Sequence, residues 1–250
     1  LYISHRDGNW DAFEATVGTE GAKSFLAPGP LKETPLIATD TDVLSPSYSP
    51  DGKSIAFEED YSRIRVFNRE SKKTVTAVKD GYLFSYKVDD QPFSWSPDGR
   101  WLAVTSGSAG TRAEILLADP SGNKEPVNIT QSGYVEIDPH FSPDGKAVYF
   151  LTSREGLKSA DSKDAEFDVY MTYLTREAFD ARGKPAAASD ADGAADAGWE
   201  PELEGLDHRT IRVTPFSNPL TVYSVLPGGN SIFWPTVSPT GLTAYRTGPG

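Results

Sequence analysis

The chain has 250 residues, enough to bury a sizeable core, and its 36 acidic against 24 basic side chains give a net charge of -12, a field that repels nucleic-acid phosphate and anionic lipid. It contains no cysteine, which excludes disulfides, a thiolate nucleophile and cysteine-held zinc. No run of about 18 apolar residues occurs, so no membrane span is expected.

The first residues, Leu1-Tyr2-Ile3-Ser4, are strand-like, and a polar turn leads from them to a second run at Trp10-Asp11-Ala12-Phe13. A chain that opens inside a strand and stops at Pro249-Gly250 is expected to be cut from a longer protein. Further on, Tyr48-Ser49-Pro50-Asp51-Gly52-Lys53 leads into Ile55-Ala56-Phe57. The same order returns at Trp95-Ser96-Pro97-Asp98-Gly99-Arg100 before Leu102-Ala103-Val104, and at Phe141-Ser142-Pro143-Asp144-Gly145-Lys146 before Val148-Tyr149-Phe150. The copies lie about 47 residues apart, a period that means stacked structural units. Proline presets φ for the second position of a type I turn, Asp suits the third, and Gly takes the place where the chain bends into the return strand. Each copy therefore predicts a tight hairpin, with Tyr48, Trp95 and Phe141 in equivalent buried places.

Two more β-rich runs follow the first hairpin, at 63–67 and 74–78, and two follow the second, at 114–117 and 127–130. Four antiparallel strands in roughly 40 to 50 residues make a propeller blade, whose apolar faces are covered by neighbouring blades. The opening strands match Phe150-Leu151-Thr152-Ser153 and Phe167-Asp168-Val169-Tyr170, the second and third strands of a blade. A short helix is predicted from Thr175 to Ala181, with Thr175 as its cap. A fourth, fainter repeat runs from Val225 to Trp234 and has lost the Ser and Asp, so one repeat carries an insertion. The fold class is thus all-β, a β-propeller of four-stranded antiparallel blades with about five blades or part-blades over residues 1–250. The insertion, acidic and Ala-rich at about 182–202, supplies no apolar anchor and is expected to be mobile.

Chemistry is sparse. The closest approach to a nucleophile elbow, Ser106-Gly107-Ser108-Ala109-Gly110, has the wrong spacing, and Asp190-Ala191-Asp192-Gly193 lacks the remaining ligands of a calcium loop. No catalytic residue, cofactor site or metal site is therefore expected. Asp51, Asp98 and Asp144 recur with the repeat and are assigned to the turns. The candidate site is a set of channel-lining positions: Ser47, Ser94, Asp138 and His140, on the strand of each blade expected to border the central channel. Asn128-Ile129-Thr130 fits a glycosylation acceptor, which has meaning only in a eukaryotic secretory setting.

The repeat, Pro-x-x-Ser-Pro-Asp-Gly-Lys then Ile-Ala-Phe, resembles the blade of the Tol-system propeller and of related bacterial peptidase propellers. Asp138 to Arg154, Phe167 to Tyr170, the acidic linker, and Leu203-Glu204-Gly205-Leu206-Asp207-His208-Arg209-Thr210-Ile211-Arg212-Val213 resemble the propeller region of tricorn proteases, over roughly residues 40 to 235. The resemblance implies a large peptidase in which propellers filter or channel peptides toward a separate serine-protease module; that module has no match in this chain, and the family's six or seven blades exceed those that fit here. The implied partners are peptides or a protein partner, together with the protease module of the same polypeptide. The alternative is a stand-alone Tol-type interaction propeller in the periplasm.

Overall fold

The computed structural model describes residues 1–6, 8–18, 29–83, 92–107, 113–157, 166–182, 199–217, 223–225, 232–238 and 241–247. The chain divides into two compact units, Leu1–Asp90 with Pro120–Asn123, and Gln91–Asp119 with Lys124–Gly250.

In the first unit, β1 (Tyr2–Ser4), β2 (Asp11–Val17) and β3 (Leu31–Ile37) form a three-stranded sheet in that order. A four-stranded sheet follows from β4 (Val43–Tyr48), β5 (Ser54–Glu59), β6 (Arg63–Asn68) and β7 (Thr74–Val78), each strand antiparallel to the next. The first sheet gives Ala12 and Ile37, and the second Val43, Ile55, Phe57 and Phe67, to one shared core. The sequence matched β1 and β2 to the second and third strands of a blade; in the structure they are an edge strand and the middle strand of a three-stranded sheet.

The second unit repeats the pattern. Its sheets are β8 (Phe93–Trp95), β9 (Leu102–Thr105), β10 (Ile115–Ala118) and β11 (Val127–Asn128), then β12 (Glu136–Phe141), β13 (Ala147–Thr152), β14 (Asp168–Tyr173) and β15 (Thr210–Arg212), then β16 (Ser224–Val225), β17 (Ile232–Ser238) and β18 (Gly241–Thr247). Every residue of β13 is buried, because this strand has a neighbouring sheet on each face. Val148 and Phe150 join Ala103, Ile115 and Leu117 on one side, while Ala147, Tyr149 and Leu151 join Tyr223, Ile232 and Trp234 on the other. Alternate side chains of a strand point to opposite faces, so an uninterrupted apolar run serves two cores at once.

The three Ser-Pro-Asp-Gly turns join the first and second strands of their sheets through one hydrogen-bond plan. The Ser hydroxyl donates to the Asp carboxylate at 2.7, 2.6 and 2.5 Å. The same Ser oxygen accepts the backbone N–H five residues on, in Ser54, Trp101 and Ala147. The Asp carboxylate accepts the N–H two residues on, and the Gly N–H donates to the Ser carbonyl. Gly52, Gly99 and Gly145 have φ of 69, 71 and 74, the left-handed region that disfavours a side chain. The flanking aromatics depart from expectation: Phe141 is buried, but Tyr48 and Trp95 are only half-buried. Tyr48 reaches out of the core because its hydroxyl donates to Glu14 at 2.5 Å and Arg69 lies over its ring.

The extra length lies in the repeat of the third Ser-Pro-Asp-Gly turn, between the third and fourth strands of its sheet. Helix α1 (Arg176–Ala181) starts there, with the Thr175 hydroxyl accepting the Ala178 N–H. The expected mobile stretch lies outside the described residues over 183–198. Its last part is packed: Trp199 joins the core and accepts a hydrogen bond on its carbonyl from Arg100, and the Glu202 N–H donates to the Leu174 carbonyl. Buried Arg209 then donates to the carbonyls of Tyr173, Glu204 and Glu202, fastening the returning chain before β15.

Candidate functional site

Strand β12 is the first strand and one edge of its sheet. Its sequence, Glu136-Ile137-Asp138-Pro139-His140-Phe141, places a proline where a ladder N–H would be needed, and the pairing breaks there. Ile137 faces Leu151 and His140 faces Tyr149, so Asp138 and Pro139 together stand opposite one residue, a β-bulge. Asp138 has φ of 56. Strand β4 bulges in the same way at Ser45 and Pro46, with φ of 48 at Ser45. Bulges of this kind re-aim side chains, and here the result is a contact between His140 Nε2 and Asp138 Oδ1 at 3.1 Å.

Tyr223 locks the arrangement from the start of the next sheet. Its hydroxyl donates to the Asp138 carbonyl at 2.8 Å, and its ring meets the His140 ring edge-on, 5.2 Å between centroids. Burial raises the Tyr223 pKa well above the usual phenol value, reinforced by the charge of Asp138, while the backbone amide of His140 works the other way. The phenol therefore stays a neutral donor, while the side chains of Asp138 and His140 remain 35% and 45% exposed.

Of the other sequence-predicted positions, Ser94 occupies the same repeat position on β8, a strand in contact with β12. Its hydroxyl is buried and has no hydrogen-bond partner among the described residues. Ser47 is the equivalent residue of β4 and belongs to the first unit. The structure thus brings Asp138 and His140 together. The remaining histidines stand apart from them in chemistry: His5 packs edge-on against Trp10, and His208 is exposed beside Asp207. The turn carboxylates Asp51, Asp98 and Asp144 are held by their own serines.

Sequence reading missed a buried polar row at the end of the same sheet. Glu136, Thr152 and Asp168 face one another across β12, β13 and β14, all with no exposed surface. Arg154 donates to Glu136 at 2.7 Å, and Arg212 donates to Asp168 at 2.8 Å, where Thr214 and Ser217 donate as well. Buried carboxylates persist only when so paired. No sequence signal marks these pairs, because their partners lie 18 and 44 residues apart without a motif. Among the described residues no three His, Asp or Glu side chains are grouped to hold a metal ion, and no helix is long and apolar enough to cross a membrane.

Comparison with known proteins adds the following. The family model described as the TolB beta propeller domain matches residues 31–193. A putative tricorn-like protease C-terminal subunit of Sulfurisphaera tokodaii is 29% identical over 106 residues, covering 42% of this chain and 12% of that protein. The uncharacterized peptidase YuxL of Bacillus subtilis is 29% identical over 133 residues, covering 51% of this chain and 20% of that protein. The chain therefore spans a fifth or less of these two relatives. Among solved structures, the tricorn protease aligns with a TM-score of 0.57 at 18% identity, covering 82% of this chain and 20% of that one. A putative TolB from Agrobacterium tumefaciens aligns with a TM-score of 0.55 at 16% identity, covering 87% of this chain and 62% of that one. These two likenesses establish the fold.

Proposed function

The chain belongs to the TolB β-propeller domain family, and from that premise we propose that it is a non-catalytic propeller region of a tricorn-like peptidase, gating or binding peptides for a protease module elsewhere in the polypeptide. The observation that carries the reading is the Asp138–His140 pair, two half-exposed polar side chains fixed on a bulged first strand. A peptide offers amide donors and acceptors along its length, and Asp138 and His140, side by side on the exposed part of β12, present complementary groups. The relatives named as a tricorn-like protease and a peptidase agree with such a substrate class. Hydrolysis needs a nucleophile held against a base and facing oxyanion donors, and Asp138 and His140 supply no nucleophile.

The test incubates the purified 250-residue chain and the full-length parent with the same fluorogenic peptides, following both cleavage and fluorescence anisotropy. The chain is expected to bind peptides without turnover while the parent cleaves them. Turnover by the chain that survives a serine-protease inhibitor control and further purification overturns the non-catalytic reading, and absence of binding overturns the peptide-holding one. A second reading, a stand-alone interaction propeller of the Tol type in the periplasm, draws on the alignment to the putative TolB, in which this chain covers 62% of the whole molecule. A parent that binds a protein partner and cleaves nothing would select it.

A further inference from the structure

We infer that Asp138 and His140 form a receptor for a primary ammonium group, so that peptides are held by an amino end; this rests on the peptide-holding reading above. An ionised carboxylate can only accept hydrogen bonds, so the Nε2 to Oδ1 contact at 3.1 Å places the imidazole proton on Nε2. In the neutral imidazole, Nδ1 of His140 is then a bare acceptor. The Asp138 side chain has no partner but His140 among the described residues, which leaves its second oxygen as another acceptor. Two acceptors and no donor select a ligand rich in N–H groups.

Charge points the same way. Three other acidic side chains of the sheets have guanidinium partners: Arg65 on Glu59, Arg154 on Glu136 and Arg212 on Asp168. Asp138 has no Lys or Arg within ion-pair distance among the described residues. Tyr223 is a neutral buried donor and cannot serve as its counter-ion. The pair is also preorganised, since the Tyr223 hydroxyl holds the Asp138 backbone and its ring holds the imidazole edge-on. Fixed acceptors lose little orientational freedom when a ligand arrives.

The probes are three octapeptides with a C-terminal fluorophore: one with a free amino terminus and no lysine, one N-acetylated without lysine, and one N-acetylated with a single lysine. Anisotropy is measured with the unaltered chain, Asp138→Asn and, as a control, Glu200→Gln at an exposed carboxylate. Asparagine tolerates positive φ, so the Asp138 variant retains the bulge. The free-amine peptide is expected to bind about fivefold tighter than the acetylated lysine-free one, with the difference lost in Asp138→Asn and kept in Glu200→Gln. Tight binding regained by the lysine peptide assigns side-chain ammonium groups as ligands too; no regain restricts the site to the amino terminus. Equal binding of all three peptides, or a preference that survives Asp138→Asn, overturns the ammonium site and leaves peptide holding intact. No binding of any peptide by the unaltered chain overturns both.

Discussion

Gly122 and Gly52 both sit at positive φ, 71 and 69, yet their surroundings differ. A Cβ at Gly122 would lie 2.2 Å from the Thr76 carbonyl oxygen, a backbone atom that cannot swing aside, whereas nothing lies within 4 Å of one at Gly52. Gly52→Ala should therefore cost about 1 kcal/mol from backbone strain alone. Gly122→Ala adds an overlap that must shift β7, and should cost about 3 kcal/mol or more. Denaturant unfolding of the two variants checks the order; equal losses would mean that the β10–β11 turn does not lie against β7. At the same scale, the Tyr223 contact was not legible in the sequence. The residue lies 85 positions from the carbonyl it caps, in the repeat whose signature has faded, so periodicity could not point to it.

At the scale of the element, the serine of each turn is the node through which three groups are satisfied, and Asp98 shows the electrostatic consequence. Burial pushes its pKa up, but the Ser96 hydroxyl, the Arg100 N–H and the Arg100 guanidinium outweigh burial, and the net shift is downward. A lowered carboxylate pKa contributes stability above the ordinary Asp value, about 4, and that stability is lost as pH falls through the folded value. Melting temperature should thus be flat above about pH 5 and fall below about pH 4. Ser96→Ala strands the Trp101 N–H and removes one of the bonds holding Asp98 down, so it should cost about 1–3 kcal/mol at neutral pH and make the acid fall smaller, ending at higher pH. An unchanged acid limb would separate Asp98 from the hydroxyl. These hairpins were legible because Pro, Asp and Gly each do a job fixed by local dihedrals, repeated at a constant period. The bulges of β4 and β12 were less so: Pro46 and Pro139 signal a broken ladder, but the aim of Asp138 depends on a contact from another sheet.

At the scale of the molecule, sheets within a unit share cores, and β13 in the second unit shows how one strand divides its side chains between two neighbours. Phe150 faces the core shared with β9 and β10, and Leu151 faces the one shared with Tyr223, Ile232 and Trp234. Both side chains are essentially without exposed surface. Truncation to alanine should cost about 3–5 kcal/mol at Phe150 and about 2–5 kcal/mol at Leu151, from lost transfer energy and the cavity left behind. Stacked repeats couple through nearest-neighbour interfaces, so the damage should be directional even though the residues are adjacent in sequence. In amide hydrogen exchange, Phe150→Ala should lower protection in Leu102–Thr105 and Ile115–Ala118 more than in Ile232–Ser238, and Leu151→Ala should do the reverse. Both variants share β13 itself as an internal control, because its own ladder to β12 and β14 is altered in each. A uniform loss of protection across all three sheets in both variants would show that the second unit opens as one cooperative body, and that the seams between its blades are not separate steps in its unfolding.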